Sequence, residues 1–241
     1  MNFVSINDDS ICKEESACSL PQTGEATIPK VKLLKPLSEI TLKEYAGPLD
    51  ESNKVFNGLY AGCFPGDISD EINDGNLIKL LNYGINKFVC MQEEYNPHAK
   101  EEDWRVRGVS KRPYFADIQR IVSNKESYPG LKMEPKDISF EHCPIKDLKT
   151  ISDYVTLEIA KKVVRALEDG DIVYVHCWGG HGRTGIIICL VLHLMFGLNG
   201  NQAIEYCERV HMMRLCAINV RSPQTFAQRS QVIRIINSQK K

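Results

Sequence analysis

The chain has no apolar stretch long enough to cross a bilayer. Its longest run, "GIIICLVLHLMFG" from Gly185 to Gly197, falls short of the roughly 20 residues a span requires and reads as a fully buried helix of a soluble protein. Nor does charge of one sign prevail: the net charge is −1 with no long single-sign block. That removes the electrostatic footprint of a nucleic-acid or acidic-membrane binder. The N-terminus "MNFVSINDDSICKEESACS" lacks the basic-then-apolar order of a secretory signal. The nine cysteines are odd in number and irregularly spaced, so they lack the pattern of a disulfide framework. These absences predict a reducing, cytoplasmic setting, the nucleus being the other such place, with no membrane insertion. No internal repeat is evident.

What remains is ordinary for one globular domain with a tail: 241 residues, 43% hydrophobic and 25% charged. Residues 1–28 are polar and acidic on balance, with Asp8, Asp9, Glu14, Glu15 and Glu25 against Lys13, and show no periodicity. They predict a mobile tail ahead of a domain over 29–241. From there strand-like and helix-like segments alternate: "GLYAGC" (58–63), a helix near 70–83, "NKFVCMQ" (86–92), "ISFEHCPI" (138–145) and a helix near 152–168. In that helix Val155, Ile159, Val163 and Leu167 repeat every four residues and define a face that packs on a sheet. The strand "DIVYVH" (171–176) follows, then a glycine run, the apolar helix from Thr184, a helix near 200–213, and a last helix at "RSPQT" with Ser222 as N-cap and Pro223 at its first position. The alternation predicts an α/β fold with a largely parallel central sheet flanked by helices. Only 93–137 shows no pattern. Its cluster of Arg105, Arg107, Lys111 and Arg112 reads as a solvated surface segment.

The glycine run carries chemistry. "VYVHCWGGHGRTGIII" (173–188) places Cys177 and Arg183 at its two ends. Gly179, Gly180 and Gly182 tolerate the dihedrals that turn backbone N–H groups inward to one point, a nest for an oxyanion. The helix starting near Thr184 adds its own unpaired N–H groups, and Arg183 can give two parallel hydrogen bonds to a phosphate. The same positive field favours the thiolate of Cys177, which makes it a nucleophile placed under phosphorus. Among the nine cysteines Cys177 alone combines an arginine six residues on with a strand before, a helix after and three intervening glycines.

"HCWGGHGRTG" (176–185) resembles the His-Cys-x5-Arg-Ser/Thr signature of the cysteine-based protein tyrosine phosphatases. "VFNGLYAGCFPG" with the helix after it and "GINKFVCMQEE" resemble the N-terminal half of small dual-specificity phosphatase domains. The resemblance covers about residues 30–238. It implies a phosphocysteine on Cys177, Arg183 as phosphate clamp, Thr184 as the hydroxyl that assists departure of the thiolate, and His176 as the residue orienting Cys177 from behind. Trp178, Gly179, Gly180, His181, Gly182 and Arg183 would form the phosphate loop, with Trp178 as a plug of the core beneath it. Asp147 matches the family's acid, shortly after a proline in "EHCPIKDLKTISD"; Asp153 is the competitor in the first turn of a helix, where an acid serves the helix dipole. Gln224 in "SPQTFAQ" matches the glutamine that holds the hydrolytic water, with Gln228 behind it. No tyrosine-binding loop is evident, which implies a shallow site open to phosphoserine and phosphothreonine as well as phosphotyrosine on protein partners.

Other readings stay open. Inositol-lipid phosphatases of the same fold carry lysines where this chain has Trp178 and His181, and a protonated His181 would partly replace one. A non-catalytic phospho-reader would lack the cysteine, arginine or acid that are all here. A rhodanese-like sulfurtransferase would have a loop shorter by one residue. A metal site on His176, Cys177 and His181 leaves the glycines and Arg183 without a purpose, so no metal and no cofactor is expected.

Overall fold

The computed structural model describes residues 34–106, 110–132, 137–216 and 218–239. The acidic segment 1–28, the domain start at 29 and Arg107 lie outside the described residues. A short α1 (Leu42–Tyr45) leads into an antiparallel hairpin of β1 (Ser52–Phe56) and β2 (Leu59–Gly62). Then come α2 (Asp70–Asn82), β3 (Lys87–Gln92), α3 (Glu101–Trp104), α4 (Tyr114–Ser123) and β4 (Ser139–Ile145). The chain continues through α5 (Asp153–Glu168), β5 (Val173–His176), α6 (Gly182–Phe196), α7 (Gly200–His211) and α8 (Phe226–Ser238). The sheet order is β1-β2-β5-β3-β4, with every pair parallel except β1 with β2. This is the α/β arrangement with a largely parallel sheet that the alternation predicts.

Strand β5 is central because all four of its residues suit burial on a doubly covered sheet. Its side chains alternate. Val173 and Val175 join a core with Ile159, Val163 and the apolar residues of α6, whereas Tyr174 faces the opposite layer of Leu77, Leu80, Tyr114 and Ile118 from α2 and α4. Helix α6 is buried from Gly182 to Leu192, which explains why its sequence is apolar all round instead of striped. It stops at Gly197, whose φ of 70° lets its amide turn back to the carbonyl of His193. Because β2, β3, β4 and β5 run parallel, their following loops meet at one rim, the edge where ligands of open α/β sheets are held.

Two expectations are corrected. The segment 93–137 holds α3 and α4, and its basic cluster is solvated only in part: Arg105 is exposed, but Arg112 is 5% exposed and bonds Asp117 (2.6 and 3.0 Å) and Asp70 (2.7 Å). The guanidinium groups of Arg105 and Arg112 each lie 4.5 Å from the ring of Trp104. Acids on α2, α3 and α4 neutralise these arginines. The last helix begins at Phe226 with Thr225 as N-cap, three residues later than the Ser222-Pro223 start. Thr225 and Gln228 form a reciprocal capping box, which satisfies two backbone amides where Ser222 would satisfy one. Ser222 instead donates its hydroxyl to the carbonyl of His181 at 2.9 Å.

Replacing Arg112 with Met leaves the half-buried Asp117 without its main partner. The unfolding free energy should fall by about 3 kcal/mol in urea titrations; a loss below about 1 kcal/mol would mean that the cluster contributes little.

Candidate active site

A loop presents its amides in one direction only when its carbonyls are held in the other, and here each carbonyl has a partner. The carbonyl of Trp178 accepts from the amide of Phe64 (2.9 Å), those of Gly179 and Gly180 accept from Arg214 (2.9 Å each), and that of His181 accepts from Ser222. Among the described residues, the amides of Trp178 through Arg183 donate to no carbonyl or side chain. Gly180 has φ 70°, and a Cβ there would stand 2.2 Å from the carbonyl oxygen of Gly62, so the left-handed turn and the close approach both require glycine. Arg214 is 3% exposed and also bonds Asn53 (3.0 Å).

Cys177 opens the loop and is buried at 3% exposure. Behind it, His176 meets the hydroxyl of Tyr114 through Nε2 (2.6 Å) and the carbonyl of Cys177 through Nδ1 (3.4 Å). A carbonyl only accepts, so Nδ1 carries the hydrogen and Tyr114 donates to Nε2. Burial pushes the His176 imidazole down to about 3, which keeps it neutral.

Arg183 closes the loop at 1% exposure. Its Nη1 donates to Glu94 (2.8 Å) and to the carbonyl of Ile145 (2.9 Å); its Nη2 donates to Glu94 (2.9 Å) and pairs with Asp147 (3.0 Å). Burial works against this charge, but the Glu94 hydrogen bonds outweigh it and hold the group above its ordinary value. Burial likewise raises Glu94, yet the bonds from Arg183 bring it below the usual carboxylate range. Arg183 Nε and Thr184 Oγ1 are buried without a partner. Buried donors are rarely left so. With the free loop amides they make a set of donors awaiting an anion.

The structure separates the two aspartates. Asp147 stands in a turn after β4, exposed and beside Arg183. Asp153 lies in the first turn of α5 and is tied to α8 by Arg234 (2.6 and 2.7 Å) and Gln231 (3.0 Å). The Arg234 bond holds its carboxyl below the ordinary value. The two glutamines also part: Gln224 is exposed, whereas Gln228 is buried against the loop, where a Cβ on Gly182 would stand 2.7 Å from its amide atoms. Gln228 also reaches the carbonyl of Lys149 (3.4 Å), beside Asp147.

Trp178 does not plug the core. It is 52% exposed, stacked on Phe64 and covered by the ammonium of Lys111, 3.4 Å from its ring centroid. The ring of His181 lies against Gly179, and its Nδ1 is 2.7 Å from Nε2 of the buried His211. Burial pushes His181 down to about 4 and His211 down to about 2, with Arg214 adding to both. Among the described residues no group of three acids, cysteines or histidines is placed to hold a metal.

Sequence reasoning missed Glu94, Arg214 and Tyr114, and named Lys111 only as one of a basic cluster. Glu94 had a signal, since it follows β3 at the ligand-binding edge of a parallel sheet. The others reach the loop from other elements and leave no local mark.

Solved structures share this fold. Kinase associated phosphatase (KAP), with serine for its catalytic-site cysteine, aligns with a TM-score of 0.51 and 18% identity over 75% of this chain and 86% of that one. Tk-PTP in a mutant form aligns with a TM-score of 0.50 and 17% identity over 79% and 97%. The architecture is that of a small dual-specificity-type protein tyrosine phosphatase domain. Within that class the chain belongs to PTP-SAK, the DSP-PTPase phosphatase domain of Swiss Army Knife proteins, whose pattern matches residues 67–232. Protein 067L of Invertebrate iridescent virus 3, provisionally named as a tyrosine phosphatase, is 30% identical over 82 residues, 32% of this chain and 34% of its own length. The match therefore spans about a third of that viral relative.

The three depressed histidines give a pH signature. The unfolded chain takes up their protons near pH 6.5, whereas the folded chain does not until about 4, 3 and 2 for His181, His176 and His211. The unfolded state thus binds more protons as pH falls below 6.5, and stability should drop by up to about 1.4 kcal/mol per pH unit for each imidazole. Urea unfolding at pH 7 and pH 5 measures this; equal midpoints would show the histidines free to charge in the folded state.

Proposed function

We propose that this phosphatase hydrolyses phosphomonoesters on proteins, phosphotyrosine together with phosphoserine and phosphothreonine, through a phosphocysteine on Cys177, in the cytoplasm or nucleus. The carrying observation is the set of unpartnered buried donors, Arg183 Nε and Thr184 Oγ1, on the loop that begins at Cys177. A phosphate dianion would satisfy them and the loop amides at once. Arg183 would offer Nε and Nη2 as its fork, which displaces Asp147 from Nη2 and frees it for the leaving group.

In the first step the Cys177 thiolate forms the S–P bond while the P–O bond to the substrate breaks, and the departing oxygen takes the proton of Asp147. In the second step water forms the new P–O bond, its proton returns to Asp147, and the S–P bond breaks. Thr184 donates its hydroxyl to the sulfur as the thiolate leaves. Gln224, exposed ahead of α8, would orient the hydrolytic water, while Gln228 packs on Gly182 behind it with its amide committed to the Thr225 amide and the Lys149 carbonyl. Equatorial charge is met by Arg183 and the amides. His181, neutral and bonded to His211, supplies no second cation inside the loop, which supports single phosphoryl groups over multiply charged lipid headgroups.

Replacing Cys177 with Ser should abolish turnover and leave phosphoester binding intact; activity within about tenfold of the parent enzyme would overturn the mechanism. Asp147→Asn should cost on the order of a hundredfold on phosphotyrosine and alkyl phosphates, less on nitrophenyl phosphate, and should erase the alkaline limb of the rate profile. Asp153→Asn should instead lower stability through its lost bonds to α8. A reversal of these two results would move the acid to Asp153.

A further inference from the structure

The segment joining α3 to α4, together with α4 itself, carries Arg105, Lys111, Arg112 and Arg120, with opposite fates among the described residues. Arg105, Arg112 and Arg120 are each paired with carboxylates from Asp70, Glu101, Asp74 or Asp117. Lys111 has no ion-pair partner among the described residues. Its half-buried ammonium rests on Trp178, the residue next to Cys177, and desolvation lowers its pKa while Glu94 acts in the opposite direction. Trp178 is itself fixed, with Phe64 stacked on its ring and donating to its carbonyl. Lys111 is thus a cation held in a defined place at the edge of the site. Lys146 and Lys149 are likewise exposed, lack ion-pair partners among the described residues, and flank Asp147, which touches Arg183.

Apart from Arg183, the positive charge at the site therefore lies on side chains outside the phosphate loop: Lys111 on Trp178, and Lys146 and Lys149 beside Asp147. The loop's own variable side chains are uncharged: Trp178 carries none, and His181 is neutral and turned toward His211. A headgroup with several phosphates on one ring needs cations within the cradle. A peptide lying across the mouth instead brings its neighbouring residues to the rim.

We propose that Lys111, seated on Trp178, is a specificity-determining residue that selects phosphopeptides carrying acidic side chains beside the phosphorylated residue, with Lys146 and Lys149 serving the other flank. This rests on the phosphoprotein reading above. An ammonium on an aromatic face keeps its long-range field while losing rotamer freedom, so pairing with a substrate carboxylate costs little further ordering.

The test compares kcat/KM for three phosphotyrosine peptides: one with glutamates N-terminal to the phosphoresidue, one with glutamates C-terminal, and one with alanines on both sides. The parent enzyme should prefer both acidic peptides. Lys111→Gln should lower that preference about fivefold on one side, the scale of a partly exposed ion pair. The Lys146→Gln/Lys149→Gln double variant should lower it on the other side, and Lys111→Arg should restore what Lys111→Gln loses. Raising salt should compress the preference. Equal rates on the three peptides, or a preference untouched by Lys111→Gln, would overturn this inference and leave the phosphoprotein reading standing. Failure to turn over any phosphopeptide, with nitrophenyl phosphate and monomeric short-chain phosphoinositides hydrolysed, would overturn both.

Discussion

The contact between Arg214 and the carbonyls of Gly179 and Gly180 is the constraint on which the site depends. Five residues between β5 and α6 must aim their amides at one point, and a flexible glycine-rich backbone has no preference for doing so. Two bonds from one planar guanidinium fix two successive peptide planes at once. Phe64 and Ser222 fix the planes on either side. Burial alone lowers the pKa of Arg214, so removing this charge from water is a real cost, met by Asn53 and the loop carbonyls. The arrangement has a second effect. A buried positive charge behind the loop adds to the potential that an incoming dianion meets from the amides and the helix N-terminus.

Arg183 shows how the site is ordered without being blocked. Glu94 grips both terminal nitrogens and sets the plane of the guanidinium, so the group does not reorganise when substrate arrives. Asp147 pairs with Nη2 alone and is exposed, so it is the partner that can leave. In the reading proposed above, a phosphate dianion would displace this one exposed carboxylate from the buried cation and leave the acid beside the leaving oxygen, so that substrate binding and acid positioning would be one exchange at one nitrogen.

The parts of this site that lie within one stretch of chain were legible in the sequence, and the parts assembled across the fold were not. β5, the loop and the start of α6 are consecutive, so alternation, glycines and apolar periodicity reported them, and Cys177, Arg183 and Thr184 fall where the pattern put them. The sheet followed from strand and helix alternation. Arg214 lies 31 residues beyond Arg183 at the end of α7, and nothing local distinguishes it from a surface arginine. The start of α8 was misplaced although the Thr225-to-Gln228 capping box was readable, because Ser222 and Pro223 offered a nearer cap-like pair. The basic cluster at 105–112 was misjudged for a related reason: its acids, Asp70 and Asp117, sit on other elements, and charge on one segment does not reveal what faces it.

The loop's variable positions decide what kind of discrimination the domain can make. Trp178 is committed to Phe64 and Lys111, and His181 to His211. Neither adds charge to the cradle. In the proposed reading, what would grip the scissile phosphoryl is backbone, helix terminus and one arginine, all of which read a dianion and nothing of the group attached to it. Any difference between substrates must come from the rim, where side chains are exposed and each contact is weak. On that reading, a domain built this way would combine strong, indifferent binding of the phosphoryl with shallow recognition of its surroundings, and selectivity would grow by summing modest rim contacts along a chain-like ligand.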